Sequence, residues 1–450
     1  MRESWGSRFG FIMATVGFAV GLGNIWRFPY MVGENGGGAF LVVYIACAVL
    51  IGIPLFTAEI SLGRKTQLTP IAGMAKLTGS STHPWNIVGW LGTIVNVMIL
   101  SYYTMILGWV VSYFIQIVTG RFSGIPTHEI QATFDTFVAK PLPVLGYVSL
   151  VLVVIGVLVA RGVQEGIERV AKIAMPLLFV MLLVLVARSL SFPGAARGLA
   201  WYLKPDFSAL TGQTVLAALG QAFFSIGIGM SAAFGLGSYL QRDKSDIPGN
   251  AAIVVACDTS VAFLAGLMIF PALFAFGLEP DSGPGLLFVT MTNLFNRMPA
   301  GQLFGGAFFF LLILAGLTSA MAQIEVLVAT LLDSLRITRK QGVAIVCTGL
   351  FLLAIPNVLS QGPWAHIQAF GKDIFVLVDT FSGSFLLVAS GLALAAYTAF
   401  AWGWERFRDE TNVGAGRLKV FPSWKPFIKY IIPIAVAVIL LGGILKAVGR

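Results

Sequence analysis

Charge is scarce in this chain: Asp, Glu, Lys and Arg supply only 11% of its 450 residues, against roughly a quarter in soluble domains. No stretch between its apolar runs is polar enough or long enough to fold separately, so a soluble globular protein is excluded. Cysteine and histidine are scarcer still, with three of each. Cys47, Cys257 and Cys347 fall inside apolar runs and are too scattered for a disulfide framework. His83, His128 and His366 lie in three different loops without metal-ligand spacing. Nucleophile–base pairs, phosphate loops and zinc motifs are missing too, which speaks against an enzyme.

What the chain has in excess is apolar length. Hydrophobic residues make up 57% of it, and its mean hydropathy is +0.87. Runs near 9–31, 39–62, 86–118, 144–160, 167–190, 213–239, 250–278, 302–332, 342–356, 374–402 and 427–447 approach or exceed the length needed to cross a bilayer. Eleven transmembrane helices in a single all-α membrane domain, 1–450, are therefore expected. With the N-terminus in the cytoplasm and the C-terminus outside, Lys and Arg favour the cytoplasmic loops by about two to one. The net charge of +9 needs no nucleic-acid partner, because its excess sits in those loops. The first run lacks a small-residue cleavage site, so it reads as a span rather than a signal peptide.

Two runs are interrupted. The first contains Ala19-Val20-Gly21-Leu22-Gly23-Asn24, followed by Ile25-Trp26-Arg27-Phe28-Pro29-Tyr30; the sixth contains Phe223-Phe224-Ser225-Ile226-Gly227-Ile228-Gly229-Met230-Ser231. Irregular backbone within a bilayer is tolerated where it faces a protein-lined cavity or a ligand. Breaks in the first and sixth spans fit an inverted repeat of five plus five helices, with a site where the breaks meet. A glycine-kinked packing helix is the alternative for either break taken alone. In the eighth span Ala315, Thr318 and Ser319 share one helical face and offer oxygen to a small cation, or serve as helix-packing contacts. Glu59 is an ionisable group in an apolar helix, placed either to satisfy backbone near a broken helix or to reach the interface near Arg64. Tyr102 and Tyr103 sit mid-membrane, where one hydroxyl serves a ligand or a local hydrogen bond. Gly166 and Pro176 weaken the start of the fifth helix, which is expected to unwind between them.

The stretch 2–40, with Gly-Leu-Gly-Asn-Ile-Trp-Arg-Phe-Pro-Tyr from Gly21 and Glu-Asn-Gly-Gly-Gly-Ala-Phe from Glu34, resembles the neurotransmitter:sodium symporter family and its LeuT-like bacterial amino-acid transporters. The likeness continues through 221–239, 315–333 and Asp379, essentially the whole chain. It implies the LeuT-like fold, with broken helices 1 and 6, a first repeat of about 8–190, a second of about 213–403 and an extra helix at 427–447. It further implies two Na⁺ sites: Ala19, Asn24, Ser225 and Asp258 with the substrate carboxylate (Na1), and Gly17, Val20, Ala315, Thr318 and Ser319 (Na2). Substrate would meet Ala19, Gly23, Ile99, Tyr103, Phe224, Gly227, Met230, Ser319 and Gln323. An outer gate would pair Arg27 with Asp379, and an inner gate would pair Arg2 with Asp333, supported by Trp5 and Tyr239.

Monoamine members of the family carry an aspartate where this chain has Gly21, which favours a substrate bringing its own carboxylate. The spacing of Gly166 and Pro176 is similar to that in bacterial members for hydrophobic amino acids. Phe18 and Gln323 depart from the leucine-type pocket. Tyr44, Gln221 and Ser225 resemble chloride ligands, yet Asp258 places a carboxylate beside them and Ala262 lacks a fourth hydroxyl, so chloride independence is expected. The resemblance thus implies a Na⁺-coupled symporter importing L-amino acids with bulky hydrophobic or aromatic side chains across a bacterial inner membrane. An amino-acid sensor is the alternative, and a channel is weaker because it needs no pair of opposed charged gates.

Overall fold

A computed structural model describes residues 3–278 and 285–447. Among them nine helices are long and apolar enough to cross a membrane: Gly38–Thr66 (span 2), Pro84–Val118 (span 3), Pro141–Ala160 (span 4), Val163–Leu190 (span 5), Ile247–Ala275 (span 7), Gly301–Ser334 (span 8), Arg339–Ser360 (span 9), Ile374–Trp402 (span 10) and Pro422–Gly443 (span 11). Span 1 is a bent pair, Arg8–Ala19 and Gly23–Glu34, with 49° between the halves. Span 6 begins as Gly212–Ile226, 15 residues and too short to cross alone, and resumes as Ala232–Gly237. Taken in order, these segments are consistent with the eleven apolar runs.

Both breaks have local causes. In span 1, Val20 leaves the helix at ψ 105, and the chain re-enters through a wide π-turn at Gly23–Arg27 before Phe28–Glu34, with a proline near its start. In span 6, Gly227 and Gly229 take φ values of 76 and 86, a region glycine enters without a Cβ penalty. Gly229 also approaches another backbone: a Cβ there would lie 2.7 Å from the Leu387 carbonyl oxygen in span 10.

Burial sorts the helices. The most apolar stretch of span 3 is 78% buried, whereas those of spans 9 and 11 are 33% and 22% buried and face outward. The first half of span 1 packs against spans 5, 7 and 8, span 3 runs along span 8, and both halves of span 6 lie on span 2. The two breaks therefore meet at the centre. Glu59 of span 2 supports the second break: its Oε1 accepts from Gly229 N at 2.8 Å. Of the two placements open to Glu59, this is the one next to a broken helix.

Span 5 differs from expectation. Its start is not unwound: Val163–Glu168 forms a π-turn that runs into Arg169–Leu190, and the helix continues through Pro176. Gly166 lies close against span 4, where a Cβ would collide with the Leu158 carbonyl. Glu168 then fastens this turn to the N-terminal segment, accepting from Gly6 N at 2.7 Å and Ser7 Oγ at 2.8 Å.

Beyond span 10 the chain turns at Gly403, φ 85, into a short helix, Trp404–Asn412. A buried ionic knot holds that helix to the end of span 2. The Arg64 side chain, fully buried, donates to Glu410 Oε1 at 3.3 Å, to the Glu410 carbonyl, to Val413 O at 2.7 Å and to Ser245 O at 2.9 Å. Lys65 and Arg242 reach the other carboxylate oxygen from the rim.

Candidate functional site

The carboxamide of Asn24, fully buried at the first break, organises the centre. Its Oδ1 accepts from Gly21 N at 3.0 Å, closing the turn. Its Nδ2 donates to Ser225 Oγ (2.9 Å), Asp258 Oδ1 (2.7 Å) and Asp258 O (3.0 Å), so spans 1, 6 and 7 converge on one amide. Ser225 Oγ lies 3.0 and 3.1 Å from the two Asp258 carboxylate oxygens, and Tyr44 Oη donates to Ser225 at 3.2 Å. Gln221 Nε2 donates to Gly23 O at 3.2 Å. The Ser225 hydroxyl and the Asp258 carboxylate offer the hard oxygen that a monovalent cation requires, while the Asn24 amide turns its nitrogen to them and its oxygen to Gly21 N. Among the described residues no cluster of three His, Cys, Asp or Glu side chains offers a transition-metal site.

The second proposed cation site lies one turn away. Gly17 presents its bare Cα to span 8, where a Cβ would stand 3.0 Å from Thr318 Cβ and 3.4 Å from its Oγ1. Thr318 Oγ1 donates to Leu314 O at 2.9 Å and to Ala315 O at 3.2 Å. Ser319 Oγ donates to Phe18 O at 2.8 Å and bridges the two helices. Val20 caps the half-helix, and the last carbonyls of such an end lack intrahelical donors. Gly17 and Phe18 thus meet Thr318 and Ser319 at one contact, with Ala315 joined to Thr318 on the same helix.

Between the breaks lies a cavity of about 30 Å³, room for about two waters. Ala19, Gly23, Ile99, Tyr103 and Phe224 line it, and so do Gly227, Met230, Ser319 and Gln323, so all nine expected substrate contacts line one cavity. Gly21 and Phe18 line it too. Tyr103 Oη accepts from Leu22 N at 3.3 Å, and it can do so because a Cβ on Gly21 would stand only 2.9 Å from that oxygen. Phe18 was noted only as a departure from a pattern. Its ring occupies the space a side chain at Gly227 would need, so the bare backbone at Gly227 is what admits it.

The two ends of the site are closed differently. On the Arg27 side, the guanidinium lies over the Phe224 ring, 4.3 Å from its centroid. The direct ion pair expected between Arg27 and Asp379 is not formed: Asp379 acts on Arg27 through space, and Arg27 Nη1 has no hydrogen-bond partner. The guanidinium stacks on an aromatic lid instead of crossing to span 10.

On the Trp5 side, Arg2 of the expected inner gate lies outside the described residues. Asp333 accepts from Thr69 N and Oγ1 at 2.7 and 2.8 Å. Trp5 Nε1 donates to Leu236 O at 3.0 Å, and its ring meets Tyr239 edge-on at 6.2 Å. Tyr239 Oη donates to Glu325 Oε1 at 2.7 Å, and Arg339 bonds both Glu325 and, at 3.3 Å, Glu3. Glu3 in turn accepts from Val163 N at 2.6 Å. Glu3, Glu168, Glu325 and Arg339 escaped the sequence reading. Glu325 carried a usable signal, a carboxylate in an otherwise apolar span.

Comparison with known proteins follows this geometry. The chain matches the Sodium:neurotransmitter symporter family over residues 2–136 and 127–449. It is 35% identical to an uncharacterized sodium-dependent transporter of Haemophilus influenzae, covering 98% of each chain. It is 36% identical to the uncharacterized sodium-dependent transporter YhdH of Bacillus subtilis, over 97% of this chain and 96% of that one. Among solved structures, MhsT in complex with L-phenylalanine superposes with a TM-score of 0.90 at 40% identity, over 98% of this chain and 100% of that one.

Proposed function

Because the chain belongs to the Sodium:neurotransmitter symporter family, and is therefore a sodium-dependent membrane transporter rather than an enzyme, we propose that it imports L-amino acids with bulky hydrophobic or aromatic side chains by alternating access. The observation that carries the reading is the cavity between the two breaks. Ile99, Phe224 and Met230 make part of its lining apolar, and Ser225, which also lines it, holds the buried carboxylate of Asp258. An amino acid fits that polarity, its side chain along the apolar lining and its carboxylate beside the first sodium. The likeness to a structure solved with L-phenylalanine supports the same class.

In this reading two Na⁺ ions bind. One is held by Ala19, Asn24, Ser225 and Asp258 with the substrate, the other by Gly17, Val20, Ala315, Thr318 and Ser319. Both draw on the broken first span, so each favours the arrangement that suits the other. The repeats run about 8–190 and 213–403, the Trp5 side faces the cytoplasm of a bacterial inner membrane, and the Arg27 side faces outward. Arg27 and Asp379 close the outer path, and Arg2 and Asp333 the inner. Transport needs no chloride, because Asp258 supplies the negative charge beside Ser225.

The test is uptake of labelled leucine, phenylalanine and tryptophan into proteoliposomes. Accumulation is expected under an inward Na⁺ gradient and not when K⁺ replaces Na⁺. Uptake that persists undiminished in K⁺ alone would refute sodium coupling through these sites.

A further inference from the structure

Two buried acceptors beside the cavity have no donor. They are Gln323 Oε1 and Asn96 Oδ1, on side chains that are 3% and 0% exposed. The orientation of Gln323 follows from its neighbour. Ser319 commits its hydroxyl hydrogen to Phe18 O at 2.8 Å, so toward Gln323, 3.2 Å away, it can only accept. The amide nitrogen must take that place, which leaves Oε1 as the free end. Asn96 Nδ2 donates to the Gln323 carbonyl at 3.3 Å and ties this turn of span 8 to span 3. Asn96 stands three residues before Ile99, on the same face of its helix, so the second acceptor belongs to the same corner.

Gln323 belongs to span 8, whereas the Ser225–Asp258 pair joins spans 6 and 7. Ser319 and Gln323 are four residues apart on one helical face, and Gln323 lines the cavity beside Ile99 and Met230, neither of which has a side-chain donor. A polar acceptor in an apolar pocket is unfavourable wherever no donor reaches it. For purely aliphatic cargo an apolar residue would serve better. We propose that Gln323 determines specificity within the class assigned above: its Oε1 accepts a hydrogen bond from a ring N–H or O–H of the substrate side chain. Amino acids carrying an indole or phenol are then preferred to benzyl or aliphatic ones of similar bulk. The inference rests on the amino-acid reading of the site and adds a chemical requirement to it. One net hydrogen bond of this kind corresponds to about tenfold in affinity.

The experiment is equilibrium competition in Na⁺ on the purified full-length protein, using L-tryptophan and its benzothienyl analogue, which has the same shape with sulfur in place of the ring N–H. Tryptophan is expected to bind about tenfold more tightly, and in Gln323→Met the ratio should fall to about one. Equal affinities in the wild type overturn the inference, as they would if water alone satisfied the two acceptors. A ratio that persists in Gln323→Met overturns it as well. Should that variant not fold, the wild-type ratio decides. Leucine separates the two levels: a protein that binds leucine in Na⁺ but does not tell the pair apart loses this inference alone. One that binds no amino acid loses the reading beneath it.

Discussion

In the proposed reading, Asp258 is the residue on which ion selectivity turns. Its carboxylate is 3.0 Å from Ser225 Oγ, and Tyr44 Oη lies 3.5 Å from it, so it already fills the place among those hydroxyls where an anion would be held. Two negative charges a few Å apart repel by about 4 kcal/mol at an effective dielectric near 20. Wild-type uptake should therefore be unchanged when gluconate replaces chloride at constant Na⁺. Asp258→Asn combined with Ala262→Ser should make uptake chloride-dependent, and a wild type that stops without chloride would refute the assignment. At this scale the sequence was most legible where chemistry is carried by backbone-freeing or oxygen-bearing residues at a break: Asn24, Ser225, Thr318 and Ser319 all reach the centre. It was least legible at Phe18. A phenylalanine in an apolar run carries no mark of function, and only the bare Gly227 opposite shows what its ring occupies.

Among the elements, the half-helix Arg8–Ala19 is held at its start by three side chains and one backbone carbonyl from four other spans. Glu168 (span 5), Asn250 (span 7), the Leu236 carbonyl (span 6) and, through Glu3, Arg339 (span 9) converge on residues 3–8. Trp5 is the largest single contact, and truncating a buried tryptophan costs about 3–5 kcal/mol. Trp5→Ala should raise amide hydrogen exchange across residues 3–19 while leaving span 3 protected; unchanged protection would show that the segment is held elsewhere. In span 5, Gly166→Val should lower thermal stability by about 1–3 kcal/mol, because the new side chain meets the Leu158 carbonyl. A variant as stable as the wild type would return Gly166 to a role in unwinding. The breaks in spans 1 and 6 were legible because glycine and asparagine mark departures from helix directly. The close approach of Gly166 to span 4 was not, since it involves the Leu158 carbonyl, which no pattern within span 5 contains.

Over the whole molecule, the knot of Arg64 and Glu410 joins the end of span 2 to the chain beyond span 10. With side-chain exposures of 0% and 1%, neither charge has water to fall back on, and removing one partner of such a pair costs about 3–5 kcal/mol. Glu410→Gln should therefore lower the melting temperature far more than Arg408→Gln, a substitution on the same helix at the surface; equal shifts would show that the pair is dispensable. The described helices are consistent with the eleven apolar runs, but nothing in those runs announced this tie. Its partners lie 346 residues apart in sequence. That distance is also a delay. At ribosomal speeds of about 5–20 residues per second, Glu410 emerges roughly 17–70 s after Arg64. Through that interval span 2 must wait in the bilayer with its guanidinium kept at the watery surface, unable to settle. Chains interrupted just after Trp402 would lack Glu410 and Val413 and leave the Arg64 guanidinium with only Ser245 O of the partners named above.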